Sequence, residues 1–196
     1  ALRTHFSIAA CSQSISAQYA IAAPEAGQPH EIRKDVLIVI PARNEAATIG
    51  QLLNRLRTSG WTDVLVINDQ STDDTGNIAH AAGATVLSPA LPLGAWGGMQ
   101  AGICYALRHG YQAVITMDAD GQHEVNEIPV LLRSRGQADM VVGAFPERAS
   151  RLRQVAWDWF RQLAGFDLRD LTSGFRLYNR DVMEVLASPD ATLLDY

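Results

Sequence analysis

Two acidic residues separated by a single alanine, Asp118 and Asp120, close an apolar run in the string VITMDADGQH at 114–123. In an extended segment, residues i and i+2 project to the same side, roughly 6–7 Å apart along the chain. On such a path Asp118, Asp120 and Gln122 present oxygens to one small volume. Carboxylates held that close repel unless a proton or a cation lies between them. Hard oxygen ligands of this kind suit Mg2+ or Mn2+, ions that usually share a site with substrate phosphates. The competing reading is a helix N-cap cluster, because Asp is favoured before a helix. The full DADGQH string behind a five-residue apolar run favours metal and phosphate chemistry.

Two further polar clusters also follow apolar runs. PARNE (41–45) follows VLIVI (36–40), and NDQSTDD (68–74) follows VLVI (64–67). GAWGGM (94–99), with Gly97 inside it, is glycine-rich and opens a helix, so its backbone N–H groups offer a place for an anion. A flexible turn that lets a helix pack closely is the alternative there. Arg148, Arg151 and Arg153 follow a later strand, and Arg169 and Arg176 flank a TSGF turn. Arginine forks match phosphate oxygens, although a solvated helix face is the commoner fate of a charge run.

The elements that must position these groups follow from periodicity. Short continuous apolar runs predict strands buried on both faces at 36–40, 64–67, 84–88, 113–117 and 140–143. Between them the spacing predicts helices from about Glu45 to Gly60, from Asp73 and Asp74 to Ala82 with Gly83 as terminator, over 97–109, and over 125–135. An apolar stripe of Leu152, Val155, Ala156, Trp159, Phe160 and Leu163 predicts another, and a last helix starts near Arg180. Residues 1–34 read as an N-terminal extension with one short helix, ahead of a single domain over 35–196. The fold class is therefore α/β, a mostly parallel sheet with helices on both faces. Ligands bind beyond the carboxyl ends of strands in such sheets, and all three polar clusters fall at that edge.

Composition narrows the function. The 196 residues, 47% hydrophobic, suffice for one sizeable core. A net charge of −5 argues against nucleic acid as a partner, which requires a clustered positive surface. Two cysteines, Cys11 and Cys104, make no disulfide framework and fit a cytoplasmic setting. No stretch reaches the roughly 18 uninterrupted apolar residues of a membrane span. Residues 6–23 have the outline of a secretory signal, but Ser12, Gln13, Ser14 and Gln18 interrupt it. A dinucleotide site needs a glycine-rich turn where PARNE stands, and GxxxxGK[ST] is absent from the chain, so NAD and P-loop chemistry are excluded.

Strand–PARNE, strand–INDQSTDDT, GAWGG–helix, strand–MDADGQH and DLTSGFR (170–176) occur in the order found in family-2 glycosyltransferases of the GT-A, Rossmann-like fold. The chain most resembles the polyprenyl-phosphate (dolichol-phosphate) sugar transferase branch, over about residues 35–185. The resemblance implies an inverting hexosyltransferase that uses Mg2+ or Mn2+ and a UDP- or GDP-linked sugar. Its acceptor would be a polyprenyl phosphate, reached by a cytoplasmic protein peripheral on the inner membrane face. Pro41, Arg43, Glu45 and Gly97 would line the donor site, and Asp69 would hold the base or ribose. Asp118 and Asp120, with Gln122, would hold the metal and the diphosphate. Ser173 and Arg176 would face the reacting centre or an acceptor phosphate, with Arg148 and Arg151 as further phosphate contacts. Asp170 would be the general base if the acceptor is a hydroxyl.

The chain departs from the pattern in three places. Asn68 replaces the first acid of a usual Asp pair, the glycine-rich segment lacks a lysine often found there, and the motifs stop before the C-terminal portion that completes the acceptor side. The alternatives are a soluble or polysaccharide hydroxyl acceptor, or a nucleotide-sugar-binding module without turnover; a homo-oligomer is open. DxDG also resembles the nucleophile motif of haloacid-dehalogenase-type phosphatases. That motif belongs on a first strand, however, and here it follows the fourth.

Overall fold

Val36–Ala42 carries no charged side chain and forms a strand, β2, of which five consecutive residues, Val36–Ile40, are buried. Burial on both faces follows from its place inside a seven-stranded sheet. The computed structural model describes residues 8–12, 35–121, 125–144, 173–188 and 191. The other strands are β1 (Ile8–Ser12), β3 (Val64–Asn68), β4 (Thr85–Leu87), β5 (Ala113–Thr116), β6 (Met140–Ala144) and β7 (Arg176–Asn179). The helices are α1 (Ile49–Thr58), α2 (Thr75–Ala81), α3 (Gly94–Arg108), α4 (Ile128–Arg133) and α5 (Arg180–Leu186).

The strand order is β1-β6-β7-β5-β2-β3-β4. Pairs β2–β3, β2–β5, β3–β4 and β1–β6 are parallel. Strand β7 runs antiparallel to both β5 and β6. The expected mostly parallel α/β sheet with helices on both faces is therefore present, with one reversed strand inside it.

Side-chain alternation along β2 builds two cores. Val36, Ile38 and Ile40 face Ile49, Leu52, Leu53 and Leu56 of α1, Ala79 of α2, and Ile128 and Leu131 of α4. Leu37 and Val39 face Ile103 and Ala106 of α3, with Val182 and Met183 of α5 in the same cluster. Each fully buried aliphatic chain contributes about 1.5–3 kcal/mol relative to exposure. Helix α3 lies hard against β2: a Cβ at Gly102 would come 2.8 Å from Val39 Cγ2, and one at Gly98 would come 3.2 Å from Pro41 Cβ. That close approach brings the start of α3 to the carboxyl end of β2.

Several expectations are corrected. Ile8–Ser12, expected within an extension with a short helix, instead pairs along β6 from Ile8↔Met140 to Ser12↔Ala144. Edge pairing of this kind is set by a distant strand and leaves no local periodicity. The first helix starts at Ile49 rather than Glu45, because residues 46–48 form a turn bonded back to Glu45. A short 3-10 turn, Val125–Glu127, precedes α4, which begins with proline in its first turn and is shorter than expected. RLYN at 176–179 forms a strand where none was expected. The amphipathic stripe at 152–163 lies outside the described residues.

Candidate active site

Beyond β2 and β3, two loops hold each other in place. Asn44 and Gln70, one in each, have left-handed backbones with φ of 57° and 55°. Asparagine tolerates that region, but a non-glycine residue persists there only where its surroundings compel it. The Asn44 N–H donates to Ser71 Oγ at 3.0 Å, and Asn44 Oδ1 accepts from the Thr72 N–H at 2.8 Å. Next along, the Glu45 N–H donates to Thr75 Oγ1 at 2.8 Å and the Ala46 N–H to Asp73 Oδ2 at 3.1 Å. The Thr75 hydroxyl, bonded to Asp73, lowers the Asp73 pKa below its ordinary 3.8; N–H groups of Ala46 and Thr75 add to this and desolvation opposes it. Gln70 Nε2 donates to Pro89 O at 2.6 Å and ties in a third loop.

Within this frame Arg43 is exposed, while Pro41, Glu45 and Gly97 are half-buried. Glu45 Oε2 accepts from the Thr48 hydroxyl at 2.8 Å, which fixes the carboxylate over the first turn of α1. Asp69 is nearly buried, 4% exposed. Its Oδ1 accepts from the Leu93 N–H at 2.7 Å and its Oδ2 from the Gly94 N–H at 2.9 Å. A carboxylate thus sits at the positive end of a 15-residue helix. One of the GAWGGM N–H groups expected to offer a place for an anion, that of Gly94, is thus taken by the protein's own carboxylate, together with the preceding Leu93 N–H. Asp69 therefore joins the loop after β3 to α3, a role that the sequence did not reveal.

The DAD segment leaves the sheet at Thr116. Met117 is fully buried and Ala119 is 4% exposed, whereas Asp118 and Asp120 are exposed. Two buried anchors thus hold two carboxylates outward. The chain does not stay extended: residues 119 and 120 turn, and Gly121 has φ 75°. The extended path that would align Gln122 with the two acids is therefore broken. Gln122, Arg148, Arg151 and Asp170 lie outside the described residues.

Because β7 is antiparallel, its first residue, Arg176, pairs with Thr116 at the carboxyl end of β5. The turn before it then lies beside Asp118, where a Cβ on Gly174 would come within 2.6 Å of Asp118 Cγ. Ser173 is 6% exposed, and its Oγ accepts from the Phe175 N–H at 3.2 Å, so the hydroxyl is engaged within its own turn. Arg176 is half-buried and donates through Nε to Ser173 O at 2.7 Å. The Tyr178 hydroxyl, buried, neighbours Thr116 and Arg176; burial raises its pKa and the Arg176 charge opposes that rise. Thr116, Gly174 and Tyr178 were missed in the sequence. The i, i+2 spacing of Arg176 and Tyr178 on a strand would have been the signal. Among the described residues, no three His, Cys, Asp or Glu side chains gather as a complete metal cage.

Known proteins resemble this chain in sequence and in fold. The sequence profile described as Glycosyl transferase family 2 matches residues 37–186. The undecaprenyl-phosphate mannosyltransferase of Micrococcus luteus is 32% identical over 169 residues, 77% of this chain and 69% of the relative. The polyprenol monophosphomannose synthase of Mycolicibacterium smegmatis is 30% identical over 166 residues, 76% of this chain and 63% of the relative. The chain thus spans about two thirds of the length of these relatives. Among solved structures, glucosyl-3-phosphoglycerate synthase from Mycobacterium tuberculosis, in complex with Mn2+, UDP-glucose and phosphoglyceric acid, superposes with a TM-score of 0.63. It is 21% identical, over 90% of this chain and 65% of that one, a likeness of fold.

The role of Asp69 is directly testable. Asp69→Ala removes two charge-assisted hydrogen bonds and the charge at the start of α3. It should cost about 2 kcal/mol in urea unfolding, with Asp69→Asn in between. Identical unfolding midpoints for wild type and Asp69→Ala would contradict the assignment.

Proposed function

The chain belongs to glycosyl transferase family 2, and on that premise we propose that it moves a sugar from a nucleoside diphosphate to a polyprenyl phosphate, with inversion at the anomeric carbon. One observation carries the reading. The loops bearing PARNE, NDQSTDD, MDAD and SGFR (173–176) meet at a single edge of the sheet, with Asp118 and Asp120 held outward there. The named acceptors of the two bacterial relatives support the lipid phosphate.

Two exposed carboxylates, with no third His, Cys, Asp or Glu gathered beside them among the described residues, suit an octahedral cation that completes its shell with further oxygens from water, phosphate or an amide such as Gln122. The bare α-carbon of Gly174, leaving room for the Asp118 carboxylate, is consistent with that fit. Asp118 and Asp120 would hold Mg2+ or Mn2+; a bound cation would offset the charge that develops on the departing diphosphate. The Mn2+ and UDP-glucose in the solved mycobacterial neighbour agree with this choice.

The chain's own residues do the rest by position. Arg43 and Glu45, on the latched loops, border the donor, and Arg176 directs its charge to the reacting region beside Asp118. In the transfer, the bond from the anomeric carbon to the diphosphate oxygen breaks, and a bond to an acceptor oxygen forms on the opposite face. Holding both partners in line supplies much of the acceleration. A phosphate acceptor is already an anion at neutral pH and needs no base; a hydroxyl acceptor would require one, the part assigned to Asp170. No described helix is long and apolar enough to cross a membrane, and a peripheral, cytoplasmic-face location is part of the proposal.

Calorimetry tests the donor site. UDP or GDP should bind with Mn2+ and far more weakly without it, and Asp120→Ala should reduce the metal-dependent affinity by at least about 10-fold. Equal affinity under all conditions would refute the site. The acceptor is tested separately with labelled donor and undecaprenyl phosphate. Label should pass into a butanol-soluble product, and label found only on soluble glycans would refute the lipid acceptor.

A further inference from the structure

The turn at Ser173–Phe175 is fastened from several sides. Gly174 O accepts from the Thr116 hydroxyl at 2.7 Å, and Ser173 O accepts from Arg176 Nε at 2.7 Å. Phe175 O accepts from the Gly143 N–H at 2.8 Å, while the Phe175 ring, 1% exposed, is set in the core. A backbone bound in this way has little freedom to retreat from a neighbour. The neighbour is Asp118. A Cβ built on Gly174 would come 2.6 Å from both Asp118 Cγ and Oδ2, inside any real contact distance. Gly174 is not among the left-handed glycines, so backbone conformation does not require glycine here. The room taken by the carboxylate does.

We propose that Gly174 is a positioning residue for the cation site. Its bare α-carbon forms the wall against which the Asp118 carboxylate rests, and the Thr116 hydroxyl fixes that wall in place. The inference rests on reading Asp118 and Asp120 as cation ligands, and deepens it. A methyl group at 174 pushes the carboxylate off its position, whereas loss of the Thr116 hydroxyl frees the wall to drift. Either change acts on the cation through Asp118, with no ligand removed. The TSGFR turn thereby sets the geometry of the DAD turn, linking the two motifs mechanically.

The test combines two readouts. Melting temperatures, taken in EDTA, compare wild type, Gly174→Ala, Asp118→Ala and the double variant. Because the exposed carboxylate can turn aside, Gly174→Ala should lower Tm by only about 1–2 °C in the wild-type background, and by less once the carboxylate is gone. Mn2+ titrations in the presence of UDP, followed by electron paramagnetic resonance, should then show Gly174→Ala and Thr116→Val weakening Mn2+ by about 10–100-fold. An equal Tm loss in both backgrounds would overturn the contact. Wild-type Mn2+ affinity in Gly174→Ala would overturn its consequence for the cation. A wild-type protein with no Mn2+ affinity, even alongside the expected Tm cycle, would instead remove the cation reading and the inference with it.

Discussion

A strand that enters a parallel sheet in reverse delivers its first residues, not its last, to the carboxyl edge. Strand β7 does this between β5 and β6, and the candidate site depends on it. Its pairing with β5 ends at Thr116↔Arg176, one step before the segment that carries the two exposed acids. The Thr116 hydroxyl then reaches Gly174 O across 58 residues of sequence. Without that reversed strand, the DAD and TSGFR motifs would have no structural reason to meet. With it, a carboxylate from one and the backbone of the other share a wall.

The rest of the edge is held by polar groups satisfied inside the protein. Asn44, Asp73 and Thr75 close the loops after β2 and β3 on each other through hydrogen bonds to backbone. Asp69 neutralises the start of α3 with a carboxylate that is nearly buried. These bonds satisfy loop backbone that would otherwise fray, and they let two residues keep left-handed conformations. Arg43, Asp118 and Asp120 remain exposed around this fixed frame, which is how a net acidic protein gathers mixed charge at one place.

Much of this was legible in the sequence where the physical signal is local. Buried parallel strands read as continuous apolar runs, so β2, β3 and β5 were clear, and the spacing between Glu45 and Gly60 announced α1. Gly83, with φ 89°, ends its helix as expected. What could not be read was set by distant partners. Ile8–Ser12 becomes a strand because β6 offers an edge, and RLYN because β5 and β6 leave a gap between them. In the site, the exposure of Asp118 and Asp120 followed from their alternation with buried Met117 and Ala119. The binding of Asp69 to α3 and the nearness of Gly174 to Asp118 are three-dimensional facts that no spacing encodes. The resemblance to family-2 enzymes nominated candidate residues and left open what each one touches.

The central claim is that a divalent cation and a nucleoside diphosphate are held where Asp118 and Asp120 leave the sheet. The glycines are natural reporters of that location. Gly121 and Gly174 lie at the carboxyl edge, whereas Gly60, Gly83 and Gly110 precede β3, β4 and β5 at the opposite edge. In protein labelled with 15N-glycine, Mn2+ added with UDP should broaden the Gly121 and Gly174 amide signals at metal concentrations that leave Gly60, Gly83 and Gly110 sharp. Uniform broadening, or broadening that starts at the opposite edge, would contradict the account.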